Sequence, residues 1–143
     1  MREPGYGGKA FLLPEPEVWL SQTMVIRLKR VYDPSSEEDG ERFLVDRLWP
    51  RGVSRERLGI VAWAREAAPS SGLRIWYGHD PSKWAEFRER YFRELEGRPE
   101  AWKPLLEAAE KGTITLLFSS REPRINNAVA LKEYLEARLP VRR

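Results

Sequence analysis

Four side chains that could bind or react with a ligand follow a short apolar stretch at residues 43–45. They are an acid, two guanidinium groups and an indole: Asp46, Arg47, Arg51 and Trp49. The stretch itself is uncharged and built of strand-forming residues, as expected of a buried strand. Because open α/β sheets hold their ligands at the carboxyl ends of the strands, the sequence predicts a site at this point.

A second group of polar residues follows another strand-forming stretch, at residues 113–118. Ser119, Ser120 and Arg121 come next, and Asn126 and Asn127 can cap the helix after them. If the two strands are parallel neighbours, hydroxyls, guanidinium groups and a helix N-terminus converge, which is how phosphate or carboxylate is held. We therefore expect a small anionic, phosphate- or nucleotide-like ligand. The residues expected to bind it are Arg47, Trp49, Arg51, Ser119, Ser120, Arg121, Asn126 and Asn127.

Asp46 and His79 are the candidates for moving a proton. His79 is the only histidine and would suit acid–base work near neutral pH, although a lone histidine before a helix more often bonds loop backbone. A nucleophilic Ser119 would lack the Gly-x-Ser-x-Gly elbow, and only His79 could activate it. Asp46 has an alternative too: a structural ion pair with a neighbouring arginine, with Trp49 as a core plug. Whether the protein is an enzyme stays open.

Composition excludes several classes of chemistry. The 143 residues contain no cysteine and one histidine, so thiol chemistry and Cys/His zinc sites are excluded. The carboxylates are not clustered as a metal site would need, and no motif names a cofactor. No stretch approaches the roughly 18 apolar residues of a membrane span. We expect a soluble protein without a metal or a membrane segment.

The charge pattern leaves a second function class open. The net charge is +3, and 33% of the residues are charged. The arginine-rich surface could serve a nucleic-acid- or protein-binding module, but acidic residues are interleaved with the basic ones. We therefore favour the small anion over nucleic acid. Many charged residues, few amides and no cysteine are also typical of thermophile proteins.

The positioning elements indicate one α/β domain over residues 24–143, with a mainly parallel sheet flanked by helices in a Rossmann-like layered arrangement. Residues 1–23 are turn-rich and are either a docked arm or an extension before an authentic start at Met24. Alternation over 25–31 predicts an edge strand with one solvent-facing side. The second strand is expected at about 42–47.

Capping residues and apolar spacing predict the helices. Ser54, Ser70 and the Asp80–Pro81 pair are placed to begin helices, the last of them long and amphipathic. Further helices are expected near 61–67, over 101–111, and after the asparagine pair. The order helix, strand, helix favours a parallel sheet.

Several short motifs resemble one family. They include Asp-Arg-Leu-Trp-Pro-Arg-Gly and Gly-His-Asp-Pro, and they lie at residues 30–34, 45–52, 68–70, 78–81 and 127–129. Together they are similar to the YeaO-like family, domain of unknown function 488, over about Met24 to Leu139. The resemblance implies a small bacterial or archaeal cytoplasmic α/β protein and a start at Met24, and it supplies no reaction. Its sequences usually place a histidine where this chain has Ile125, so a second histidine does not carry over.

Overall fold

The computed structural model describes residues 24–140, so the predicted arm at 1–23 lies outside the described residues. Within the described part, four strands and five α-helices form one α/β domain. The strands are β1 (Ile26–Arg30), β2 (Glu41–Leu44), β3 (Ala62–Trp63) and β4 (Ile114–Phe118). The α-helices are α1 (Arg55–Leu58), α2 (Ser71–Tyr77), α3 (Trp84–Glu96), α4 (Pro99–Lys111) and α5 (Asn127–Glu136). Single 3₁₀ turns lie at Glu37–Asp39, Arg65–Ala67 and Pro81–Lys83.

The sheet is parallel and has the order β1-β4-β2-β3. Strand β4 lies between β1 and β2, with Phe43 opposite Leu116 and Leu44 opposite Leu117. The predicted pairing of the two site-bearing strands is therefore confirmed, and so is the edge position of β1. Every residue of β4 is buried, as expected of an interior parallel strand.

The two faces of the sheet are covered unequally. Helices α2 to α5 pack against one face of the sheet. Their apolar side chains and those of this face form a large cluster that contains Phe87, Tyr91 and Leu131. The other face carries a smaller cluster, in which Leu44 and Leu117 pack against Leu58 of α1. No helix of the described residues is long and apolar enough to cross a membrane.

Three helix starts follow from side-chain caps. The hydroxyls of Ser54 and Ser70 accept hydrogen bonds from the first turns of α1 and α2, and the Asn126 side chain accepts one from Val129 N in α5. Asp80 caps the 3₁₀ turn that leads into α3, with Pro81 at its first position. The predicted helix starts at Ser54, Ser70, Asp80 and the asparagine pair are therefore confirmed. They could be predicted because a cap bonds only within its own first turn.

The structure corrects three predictions. The helix expected near 61–67 is instead the two-residue strand β3 followed by a 3₁₀ turn, since Val61 N and Ala64 N donate to carbonyls of β2. Strand β2 ends at Leu44 rather than near 47. The side of β1 expected to face solvent carries Lys29, whose ammonium binds the buried carboxylate of Asp39 at 2.8 Å.

Candidate functional site

The carboxylate of Asp46 ties together the ends of β2 and β4 and the start of α5. Its Oδ2 accepts hydrogen bonds from the Ser119 backbone N at 2.9 Å and from the Ser119 hydroxyl at 2.7 Å. Its Oδ1 accepts from Asn127 Nδ2 at 3.1 Å, and the same amide donates to Val45 O at 2.9 Å. Asp46 therefore holds the geometry of the sheet edge.

A cavity of about 800 Å³ opens at this edge. All ten side chains that the sequence nominated line it: Asp46, Arg47, Trp49, Arg51, His79, Ser119, Ser120, Arg121, Asn126 and Asn127. The structure thus brings the nominated residues together, while their roles in binding or catalysis stay predictions.

Arg47 is committed to the protein's own backbone. Its Nε donates to Pro69 O at 2.9 Å and its Nη2 to Ala68 O at 3.3 Å. These bonds fasten the segment before α2 to the end of β2. The guanidinium of Arg47 therefore shapes the cavity wall more than it offers charge to a ligand.

Arg51 and Arg121 present a different picture. Both are exposed, and neither guanidinium has a hydrogen bond or an ion pair among residues 24–140. Arg74 on α2 is likewise exposed, and its guanidinium has no hydrogen bond or ion pair among residues 24–140. The sequence analysis did not predict Arg74 as a site residue. Its spacing on α2 marks it as outward-facing, but only the packing of α2 beside the sheet edge turns it toward this cavity.

The electrostatics of the cavity favour an anion. Five arginines line it. Among the described residues, Asp46 is the only acidic residue of the lining. Arg30, the fifth arginine, was also missed. It ends β1 and donates to the carbonyls of Ser119 and Ser120 at 3.0 and 2.9 Å, which fixes the loop after β4.

Trp49 fills part of the core, which is the alternative role that its sequence context predicts. Its Nε1 donates to Val53 O at 2.7 Å, and its ring packs edge-on against Trp63 with centroids 5.3 Å apart. The proposed ion pair is absent, however, because Asp46 forms no salt bridge with Arg47 or Arg51 in the described part of the chain.

His79 lies at the cavity wall in an uncommon backbone conformation. Its φ is 59°, the only positive value at a non-glycine position between residues 24 and 140. The side chain is exposed, and its ring lies 6.2 Å from that of Tyr77. No hydrogen bond within the described residues joins His79 to Asp46 or Ser119, so an acid–base or nucleophile–base pair is not assembled here.

No group of three or more histidine, aspartate or glutamate side chains in the described ranges is arranged to hold a metal ion. The cavity's polar lining is mainly arginine, serine and asparagine, which are anion ligands.

Residues 25–143 match a family model described as "Inactive DUF488-N3 subclade". The chain belongs to the DUF488 family. It is 40% identical to "Uncharacterized protein YeaO" of Escherichia coli over 114 residues, which is 80% of this chain and 99% of that protein. It is 34% identical over 113 residues to "Uncharacterized protein Mb3100c" of Mycobacterium bovis and "Uncharacterized protein Rv3073c" of Mycobacterium tuberculosis, covering 79% of this chain and 95% of each. No solved structure gives a significant match.

Ile125 is the position at which the family resemblance implied a histidine. Its backbone carbonyl accepts the hydroxyl proton of Tyr77 at 2.7 Å. Burial, with smaller contributions from Glu122 and Asp80, raises the pKa of Tyr77, so its hydroxyl stays protonated as a donor. Tyr77 therefore anchors the loop before α5 to α2.

Replacing Asp46 should measurably destabilise this DUF488 protein. In Asp46→Asn the new amide NH₂ group would face the hydrogen-bond donors of either Ser119 or Asn127, so hydrogen bonds are lost. We expect the free energy of unfolding to fall by about 1–3 kcal/mol. Urea denaturation measures this change. Glu89→Gln on the exposed surface of α3 is the matched control, expected within about 0.5 kcal/mol of the parent. Equal stabilities of the two variants would contradict a structural role for Asp46.

Proposed function

We propose that this protein binds a small anionic ligand, with a phosphate- or nucleotide-like group, in the cavity at the C-terminal edge of the sheet. One observation carries the proposal. The guanidinium groups of Arg51, Arg74 and Arg121 line one cavity without a hydrogen-bond or ion-pair partner among residues 24–140. The one acid of that lining, Asp46, already accepts three hydrogen bonds.

The chemistry of the lining suits phosphate. A guanidinium fork can donate two parallel hydrogen bonds to an oxyanion, which adds geometric selectivity to the charge. Ser120 Oγ accepts from Glu122 N at 3.0 Å, which leaves its proton available to a ligand. Asn126 and Asn127 place the positive end of the α5 dipole at the same cavity.

Binding has more support than turnover. The Ser119 hydroxyl donates to Asp46 instead of His79, and Asp46 and His79 are not in contact through a hydrogen bond. The word "Inactive" in the family description agrees with a cavity that lacks an assembled acid–base pair. Proton transfer by Asp46 or His79 is therefore the weaker part of the hypothesis.

A nucleic-acid- or protein-binding module remains the competing function, and the surface charges give it less support. On α3, Arg90 is paired with Glu86, and Arg93 lies 3.6 Å from Glu89. Acidic partners thus offset much of the positive charge outside the cavity. Nucleic-acid binding would show itself by an affinity that falls steeply as salt is added.

Arg51→Ala should weaken binding of inorganic phosphate and nucleoside monophosphates by about ten- to hundredfold, the effect of losing a charged hydrogen bond. The fold should survive, since Arg51 is exposed. Thermal shift and calorimetry at physiological ionic strength measure both properties. Arg93→Ala removes the same charge from α3, where the side chain is 72% exposed, and should bind like the parent.

Three outcomes would contradict the proposal. If no phosphate compound stabilises the parent protein, the arginines of the cavity have only an architectural role. If only DNA or RNA stabilises it, and added salt abolishes the effect, the nucleic-acid module is the better account. Equal losses in Arg51→Ala and Arg93→Ala would also remove the support for this cavity.

A further inference from the structure

We infer that the anion bound here carries a flat apolar body, as an aryl phosphate or a nucleoside phosphate does. The inference rests on the proposed function and adds the class of ligand. Four large apolar side chains are exposed among residues 24–140, and three of them line the cavity: Tyr32 (45% exposed), Leu48 (56%) and Ile75 (69%). The fourth, Val61, lies elsewhere. Exposed apolar side chains gathered at one concave site indicate a binding surface.

The size of the cavity points the same way. Sites that enclose small organic molecules have volumes of roughly 300–1,000 Å³, and this one has about 800 Å³. An inorganic phosphate would contact the arginines and leave most of the volume, with the apolar side chains, in water. A ligand that uses the whole lining needs an apolar part attached to the anion.

Tyr32 is placed to stack on such a part. The Arg30 guanidinium lies 4.9 Å from the centroid of its ring, and the Tyr32 hydroxyl donates to Arg51 O at 3.2 Å. The ring is therefore held beside the residue whose side chain is proposed to bind the anion. Base–aromatic stacking of this kind is tolerant of which base is stacked.

As Tyr32 does beside Arg51, a second apolar side chain of the lining lies next to an arginine, on α2. Ile75 directly follows Arg74, and both line the cavity. A sugar phosphate would bring hydroxyl groups to these apolar side chains, where they would lose water without gaining partners. The only hydroxyl of the apolar group, that of Tyr32, already donates to Arg51 O. The apolar side chains of the lining therefore favour an aromatic body over a sugar alone.

Calorimetry on the full chain with four probes tests the inference. The probes are inorganic phosphate, ribose phosphate, phenyl phosphate and adenosine monophosphate. Since stacking contributes roughly 1–3 kcal/mol per base, phenyl phosphate and adenosine monophosphate should bind at least about fivefold tighter than ribose phosphate. Tyr32→Leu should remove most of that preference, whereas Tyr32→Phe, which keeps the ring and its contact with the Arg30 guanidinium, should retain it.

A second pair of variants controls for general surface effects. Ile75→Ser should weaken binding of the aromatic probes, and Val61→Ser, which changes the exposed apolar residue outside the cavity, should not. Equal affinities for ribose phosphate and phenyl phosphate, both lost in Arg51→Ala, would overturn the inference and leave the anion site standing. Equal losses in Tyr32→Phe and Tyr32→Leu would show that the hydroxyl bond matters and would likewise overturn stacking. Failure of all four probes would overturn the proposed function as well.

Discussion

Asp39→Asn should lower the free energy of unfolding by about 3–5 kcal/mol, the usual effect of removing one partner of a buried ion pair. The Asp39 side chain is fully buried, and its Oδ2 lies 2.6 Å from Nη1 of Arg42, which is only 7% exposed. Lys29 Nζ approaches Oδ1 at 2.8 Å. An asparagine would leave the guanidinium buried without its counter-ion, beside a second positive charge.

The position of Asp39 increases the effect because it joins four elements. Lys29 belongs to β1 and Arg42 to β2, and the Thr115 hydroxyl of β4 donates to Asp39 O at 2.7 Å. The Nε and Nη2 atoms of Arg42 also donate to Leu58 O at the end of α1, at 3.0 and 2.8 Å. Losing the carboxylate therefore disturbs the thinly covered face of the sheet as a unit.

Urea denaturation would measure the loss, with Glu86→Gln as the matched control. Glu86 also pairs with an arginine, Arg90, but both side chains are about half exposed, so a change of at most about 1 kcal/mol is expected. Combining Asp39→Asn with Arg42→Met should recover part of the stability, because no unpaired buried guanidinium remains. Similar small losses in Asp39→Asn and Glu86→Gln would refute the ion-pair argument.

The same group makes stability depend on acid pH. Burial by itself would raise the pKa of Asp39, but hydrogen bonds from Lys29, Ser36 N and Arg42 together hold it well below its usual range. The folded pKa thus lies below the unfolded value of about 4. The stability contributed by this carboxylate is full above about pH 4 and is lost as the pH falls through the lower, folded pKa. The Asp39→Asn variant should lack this part of the acid-induced loss.

Local signals explain what could be predicted from the sequence. The caps Ser54, Ser70 and Asn126 each bond within three residues of themselves, so their pattern is visible without knowledge of the fold. The uncharged stretch of β4 likewise indicates burial directly. These elements predicted the parallel pairing of β2 with β4. That pairing in turn predicted the sheet edge at which the ten predicted site residues meet.

Long-range contacts explain what was missed. Strand β3 has only two residues, and its flanking N–H groups find their acceptors on Arg42 and Leu44, some twenty residues earlier. Arg74 and Ile75 reach the cavity only because α2 is fastened at both ends. Arg47 holds the preceding segment, and Tyr77 stacks on Phe87 of α3 with centroids 4.3 Å apart. No periodicity within α2 encodes those partners.

Asp39 was missed for a related reason. Its neighbours Glu37, Glu38 and Gly40 are typical of an exposed turn, and nothing local marks Asp39 as buried. Its burial depends on Lys29 and Arg42 arriving from two strands that are not adjacent in the sheet. Charge pairs of this kind become visible only when the strand order is known.

Gly40→Ala should be the other severe substitution, with an expected loss of about 3 kcal/mol or more from backbone strain and steric clash together. Gly40 has φ 64° and ψ −146°, a region that is essentially restricted to glycine. An added Cβ would lie 2.0 Å from Thr113 O. The obstacle is backbone, and Glu41 N donates to that same oxygen at 3.2 Å, so relief would require β2 and β4 to separate where their pairing begins.

Gly59→Ala separates strain from clash. Gly59 also has a positive φ, 61°, but a Cβ there would meet nothing within 4 Å, so the left-handed conformation alone should cost about 1–2 kcal/mol. Denaturation midpoints of the two variants, measured under one set of conditions, give the difference. A Gly40→Ala protein as stable as Gly59→Ala would mean that β2 and β4 can move apart at Thr113. The ion-pair cluster of Asp39, one residue away, would then be less rigid than its contacts indicate.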